Sequence, residues 1–594
     1  MRKAAAMCGL ISFLIFIVSY GVPSADAKSA QAAPAHALIN GSGSGWSANA
    51  VNQWIADVQP QGLQVVYTAV GSAQGRKDYA YKTTDYAVSD IGYQGQDEVT
   101  GDTDTSLGRS YAYLPIVAGG TAFPYHVEVA GQLVRTIRLS GDTIAKIFTN
   151  QITNWNDPAI AADNNHKFLV GSQVTGSLPS IPIVPVVHSE GAGTTAQFTT
   201  YLDTVYPSIW RPFFQHNGFT EYYPRKGNAI AQNGSDGVMN FVASSAANGA
   251  IGFDEYSYAL AKNYPVVKVK NKAGYFTLPT QYNVAVALTH AQINTNKASK
   301  DYLLQKLSRV YTAPENQVYP LSSYSYGIIP TAANDAKMTT AKRQTLADFL
   351  SYSICTGQRE MGPIGYSPLP LNLVQASFSQ IGKLRQADSG VSFTPTRVTT
   401  CNNPTFDGAD LTKNCLAIIA PQPASCDKVG QGPCAPTDTG RANANPVGCG
   451  GGGGTGGNGG NGGNGGNGGN GGNGGNGGPS AANSPGASSS PGPGGSTLSP
   501  GTGTPTDSNC IDPVTGQPCA VVVPPAGGGT GTDGEIGLGA ANGAIPVSTE
   551  VTRQQPLSMG VLAPLAVLLI LALIAGPPLL ARRLAKRADE PQGS

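Results

Sequence analysis

Hydrophobic positions follow two alternating periods along roughly the first 385 residues. Short apolar, largely β-branched runs (Ala37–Ile39, Leu63–Thr68, Ile181–Val187) read as strands. After the first and third of these, apolar residues fall at helical spacing. Val51, Trp54, Ile55 and Val58 sit at i, i+3, i+4 and i+7, and Phe198, Tyr201, Leu202 and Val205 repeat that spacing. Strands alternating with amphipathic helices predict an α/β class. A Gly/Ser turn follows each of the three strands: Gly41–Gly45, Gly71–Gly75 and Gly191–Thr195. A helix start presents free backbone N–H groups and a partial positive charge, so each turn is a candidate anion cradle. Three in one domain, placed where strand ends converge, predict a small oxyanion as ligand.

The two ends carry a different apolar pattern. Arg2 and Lys3 precede the run Leu10–Val18, and Ala25-Asp-Ala27 follows, which together form a secretory signal peptide over 1–27 with cleavage after Ala27. Leu557 to Ala581 contains no charge and reaches about 37 Å as a helix, enough to span the hydrocarbon core. The basic tail over 582–594, with Arg582, Arg583, Lys586 and Arg587, places that end in the cytoplasm. The expectation is a single-pass membrane protein with its N-terminal part extracellular, on a Gram-positive-type cell surface.

Between head and membrane, periodicity disappears. Gly450–Gly478 is nearly all Gly and Asn, and Ser, Pro, Gly and Thr dominate to Pro556. With almost nothing apolar to bury, 450–556 reads as a disordered linker. Of nine cysteines, Cys8 leaves with the signal and the other eight begin at Cys355, as suits an oxidising compartment. Residues 386–449 read as a cystine-rich neck. Cys426–Cys434 and Cys510–Cys519 read as small closed loops, with an all-Cys zinc site as the rival.

Charge narrows the function. With 37 Lys+Arg against 36 Asp+Glu the net charge is +1, which gives no field for gathering polyanions and argues against nucleic acid as a partner. No G-x-S-x-G elbow, H-E-x-x-H, P-loop or His cluster occurs, so neither catalysis nor a cofactor is expected.

The turns also carry a resemblance. Asn40–Gly45, Ala69–Gly75, Asp85–Asp90 and His188–Thr195 occur in the order and spacing of phosphate-binding proteins of high-affinity phosphate ABC transporters (PstS type). Gln151–Ile160, Gly249–Tyr258 and Gly365–Pro370 extend the match over about 36–385. The resemblance implies a two-lobed periplasmic-binding-protein-like (type II) fold with a hinge, in which residues near 36–115 and those after about 280 share one lobe. It implies inorganic phosphate or a similar oxyanion as ligand and ABC permease subunits as partners. Residue by residue, Ser72 stands at a ligand-binding serine. Asp90 stands at the carboxylate that accepts the proton of phosphate and repels sulfate. Gly193 and Thr194 stand at backbone and hydroxyl donors.

Other positions depart from the family. Gly45 replaces a Thr or Ser, Trp46 a Phe and Ala192 a Ser. His188 replaces the Arg that grips phosphate, with Glu190 at its acidic partner; His188 stays open between ligand contact and hinge-side filler. Arg offers a permanent bidentate fork that His lacks. Arg76 and Lys77 are expected to be solvated helix residues, with supply of the missing positive charge to the pocket as the rival, and Trp155 and Trp210 to be packing. A surface protein that keeps the fold for sensing or adhesion is the competing reading, prompted by the long linker.

Overall fold

Strand β1 (Ile39–Gly43) runs through the first Gly/Ser turn instead of stopping before it, so the turn begins only at Ser44. The glycines allow this because the neighbouring strand lies too close for side chains. A Cβ on Gly41 would meet the Tyr86 ring at 2.2 Å, and one on Gly43 would meet the Val88 carbonyl oxygen at 1.9 Å. The structure, a computed structural model, describes residues 35–436 apart from 97–100 and 102, together with 443–445 and 449. The signal peptide, the Gly/Asn-rich linker, the apolar run 557–581, the basic tail and the Cys510–Cys519 loop lie outside the described residues. Among the described residues, no helix is long and apolar enough to cross a membrane.

Helix α1 (Ala48–Val58) buries Val51, Trp54 and Val58, as its spacing predicts. Next come β2 (Val65–Ala69), α2 (Ser72–Ala80), β3 (Tyr86–Ser89) and the long buried β4 (Tyr111–Ala122). The chain then enters a second lobe with β5 (Val184–His188), α3 (Gly193–Val205), β6 (Ile230–Gln232), α4 (Gly234–Val242) and β7 (Ala250–Gly252). Strand β8 (Asp254–Glu255) returns to the first lobe, which α5 (Gln281–Leu288), β9 (Ser322–Pro330), α6 (Thr340–Ile354) and α7 (Leu371–Ala387) complete.

The first sheet has the order β8-β4-β9-β3-β1-β2, and the second β6-β5-β7. Strand β1 pairs parallel to β2 and β3, so the turns after these strands open on the same edge. Strand β9 pairs antiparallel to β3 and β4, and β8 pairs antiparallel to β4 (Asp254 with Ala122). The chain thus crosses between lobes beyond β4 and again between β7 and β8, a two-lobed α/β fold with a split first lobe.

Residues 386–436 do not form a separate neck; they pack on both lobes. Val391, Phe393, Val398, Phe406 and Leu416 are buried, and a disulfide joins Cys401 to Cys355 at the end of α6. Thr405 and Asn403 donate to the Leu369 carbonyl at 3.0 and 2.8 Å. The chain then reaches the short sheet of Arg138–Leu139, Lys268–Lys270 and Phe276–Thr277, on the side of the second lobe. There Arg138 donates to the carbonyls of Cys426 and Gln431, both at 2.8 Å, and Lys268 pairs with Asp427 at 2.9 Å. At Asn443 and Ala444 the chain is back on α5, where their carbonyls accept from Gln281 and Tyr282. Apolar side chains spaced through this segment need cover, and the lobes supply it. The Cys426–Cys434 loop forms as expected, and Cys415 joins Cys449.

Candidate anion-binding cleft

Asp90 follows β3 directly and is buried where both lobes meet. Four bonds from three serine hydroxyls converge on its carboxylate. Ser44 Oγ donates to Oδ1 at 2.9 Å and Oδ2 at 2.7 Å, Ser325 Oγ to Oδ1 at 2.7 Å, and Ser72 Oγ to Oδ2 at 3.2 Å. Ser44 follows β1, Ser72 opens α2, and Ser325 lies in β9, so three elements of one sheet layer aim hydroxyls at one point. Burial raises the Asp90 carboxyl above its ordinary range, against the lowering pull of Ser325, Ser44, Ser72 and Arg76.

The second lobe closes on this group through the first turn of α3. A Cβ on Gly193 would meet Asp90 Oδ2 at 2.1 Å and Ser72 Oγ at 2.5 Å, so only glycine fits. Thr194 is buried in the same turn. Gln197 Nε2 donates to the Asp90 carbonyl at 2.8 Å, and Ala73 N to the Gly191 carbonyl at 3.1 Å. Beside these contacts, Gly45 lies against the start of α4, where a Cβ would meet Ser235 Oγ at 3.1 Å; its carbonyl accepts from Tyr258 at 2.6 Å. Trp46 is buried edge-on to Tyr366, with its ring edge against Gly119.

Ser72, Asp90 and Gly193 therefore come together. Thr194 follows Gly193 in the same buried turn, Gly45 lies against the second lobe at Ser235, and Trp46 packs into the first lobe. His188 is placed differently. Its Nδ1 lies 2.9 Å from Glu190 Oε1 and its Nε2 3.2 Å from the Phe253 carbonyl. Burial opposes its charge, but Glu190, Asp254 and the Phe253 carbonyl prevail and raise its pKa, while His188 holds Glu190 below the usual carboxylate range despite burial. Both ring nitrogens of His188 are occupied by acceptors, so even its protonated form has no free donor for an anion.

Arg76 overturns the expectation of a solvated residue. It is fully buried, donates to Asp104 at 3.0 and 2.9 Å, to Ser89 Oγ at 2.9 Å and to Glu221 Oε1 at 3.1 Å. Glu221 belongs to the second lobe, so this ion pair spans the cleft. Helical spacing from Ala73 and Tyr79 turns Arg76 inward with the apolar face. Lys77 is half-buried rather than fully solvated. Trp155 and Trp210 are core residues whose indole N–H groups donate to the Gly249 and Gly218 carbonyls. Sequence reasoning also missed Ser44, Ser325, Glu221 and Asp254. Ser44 sits within the first turn, and Asp254 is one of two adjacent acids flanked by Phe253 and Tyr256; Glu221 and Ser325 carry no local signal.

A two-lobed α/β fold closing on buried polar groups defines the class, and the chain belongs to the PBP superfamily, whose domain model matches residues 28–356. The resemblance read from the turns is borne out among curated relatives. The phosphate-binding protein PstS of Methanocaldococcus jannaschii is 25% identical over 59% of this chain and 88% of its own length. The phosphate-binding protein PstS 2 of Mycobacterium tuberculosis is 29% identical over 56% of this chain and 83% of its own. Among solved structures, a high-affinity periplasmic phosphate-binding protein (PfluDING) bound with phosphate aligns with a TM-score of 0.46 and 19% identity, over 61% of this chain and all of that one.

Proposed function

We propose that this chain captures inorganic phosphate, or a closely related oxyanion, between its lobes and delivers it to ABC permease subunits at the outer face of the membrane that its C-terminal segment enters. The observation that carries this reading is the convergence of Ser72, Asp90 and Gly193 from three elements and both lobes. Hydroxyls both donate and accept, so Ser44, Ser72 and Ser325 can turn from Asp90 to ligand oxygens. The starts of α2 and α3 add N–H groups and partial positive charge. A buried carboxylate accepts the proton of a protonated oxyanion and repels one without a proton, which favours phosphate and arsenate over sulfate. The curated relatives named as phosphate-binding proteins support the same ligand.

Calorimetric titration of the full chain with phosphate, arsenate and sulfate tests this. Phosphate and arsenate are expected to bind and sulfate to bind about tenfold or more weakly, the worth of one charge-assisted hydrogen bond. Asp90→Asn should narrow that gap. His188→Arg, which restores a guanidinium fork, should raise affinity at pH 8. Absence of oxyanion binding by both the wild type and His188→Arg would overturn the reading.

A further inference from the structure

A second polar cavity, of about 320 Å³, lies on the first lobe between the start of β4, the loop before it, residues 297–302 and α7. None of the cleft residues described above lines it. Its lining holds Lys297, Lys300, Lys383 and Arg109 and no carboxylate, in a chain whose net charge is only +1. Arg109 is already neutralised, with Nε 2.8 Å from Asp335 and Nη1 donating to the Tyr79 and Thr84 carbonyls. The three lysines make no ion pair or side-chain hydrogen bond among the described residues. Asp301, an exposed neighbour acting on Tyr111, pairs with none of them.

Lys383 is half-buried, and burial alone lowers its pKa, as happens when an ammonium loses water without gaining a partner. A desolvated cation is stabilised by an anion that supplies charge and acceptors, and the exposed Lys297 and Lys300 flank Lys383 in the same lining. The rest of the wall is aromatic and hydroxylic. Tyr111 and Tyr113 pack edge-on at 5.1 Å, and Tyr302 joins them in the lining. Flat rings and hydroxyls suit the faces and hydroxyls of a sugar. The volume is that of a small organic ligand, and inorganic phosphate would leave the tyrosine wall unused.

We infer that this groove is a second ligand site, which takes a phosphorylated polyol: lysines hold the phosphate and tyrosines the carbon skeleton. The test is calorimetric titration of the full chain with glucose 6-phosphate, glucose and inorganic phosphate, in the wild type, in Lys300→Gln/Lys383→Gln, and in Lys413→Gln as a charge control on an exposed lysine elsewhere. The expected result is glucose 6-phosphate binding that falls at least about tenfold in the double variant. It should persist in Lys413→Gln, weaken with salt, and have no counterpart for glucose. Thermal melting of each variant separates loss of binding from loss of fold. No heat from glucose 6-phosphate, or heat equal in the wild type and a folded double variant, would overturn the site. Displacement by inorganic phosphate at equal potency would overturn the ligand class, because the polyol would then contribute nothing. Each outcome is read at the lysines and so does not depend on whether the cleft binds phosphate.

Discussion

His188 and Asp254 face one another's fields in a dry interior, and each pKa moves in the same direction. His188 is raised above its ordinary 6.5: burial opposes the charge, and Glu190 foremost restores it. Asp254 is pushed up to about 7 by burial, against His188 and nearby donors. A raised His contributes stability fully below about 6.5, and that contribution is lost as pH rises through its folded value. A raised Asp holds its proton in the folded state after the unfolded chain has lost it, so stability falls as pH rises from about 3.8 to about 7. Glu190, lowered, has the opposite sign, but its loss comes on acidification below the ordinary 4.5. Stability to urea is therefore expected to decline between about pH 4 and 7, and further as His188 deprotonates above its ordinary 6.5. Asp254→Asn should flatten the lower half of that decline and stabilise the protein at pH 8 by a few kcal/mol, since a shift of about three units corresponds to about 4 kcal/mol at most. A flat wild-type profile, or one unchanged by Asp254→Asn, would contradict this account.

Among the elements, helix α2 does more than present Ser72. Its next inward turn carries Arg76 across the cleft to Glu221, which makes the helix a latch between lobes. Arg76 keeps Asp104 when Glu221 is neutralised, so the cost stays below the about 3–5 kcal/mol of an uncompensated buried charge. Glu221→Gln should thus lower the melting temperature and weaken phosphate binding together, whereas a pair that serves the fold alone would leave the affinity of the folded fraction unchanged. This latch also marks the limit of what the sequence discloses. The strand–turn–helix order, the faces of α1 and α3 and Ser72 at the second turn were legible, because each is encoded by local periodicity and by glycine. Arg76 was misread because its partner lies 145 residues away and no local pattern links them. The end of β1 was misplaced for a related reason: Gly41 and Gly43 look like a turn but exist to let Tyr86 and Val88 approach. For His188, sequence identified the departure and the acidic partner Glu190 two residues on, but not the Phe253 carbonyl, 65 residues away, that faces its other ring nitrogen.

For the molecule as a whole, the cystine-rich segment changes what holds the lobes. It is fixed to the first lobe at Cys355–Cys401 and at Leu369, reaches the second-lobe side at Arg138 and Lys268, and is back on α5 at Asn443 and Ala444. A chain fixed on both sides of a hinge limits the opening that a two-lobed protein needs for ligand exchange. The small Cys426–Cys434 loop shapes the far anchor, because the Cys426 and Gln431 carbonyls that receive Arg138 both lie within it. Opening a loop of that size by Cys426→Ser/Cys434→Ser releases about 2–3 kcal/mol of constraint on the unfolded chain. It should also loosen the anchor locally. The expected outcome is faster amide exchange at residues 425–431 and faster phosphate dissociation, with little change in exchange within β1 to β4. Unchanged exchange at 425–431 would mean that Arg138 and the Lys268–Asp427 pair hold the anchor without the disulfide. Adding Lys268→Met would then be expected to release it, because the loop would keep only the neutral carbonyl contacts of Arg138.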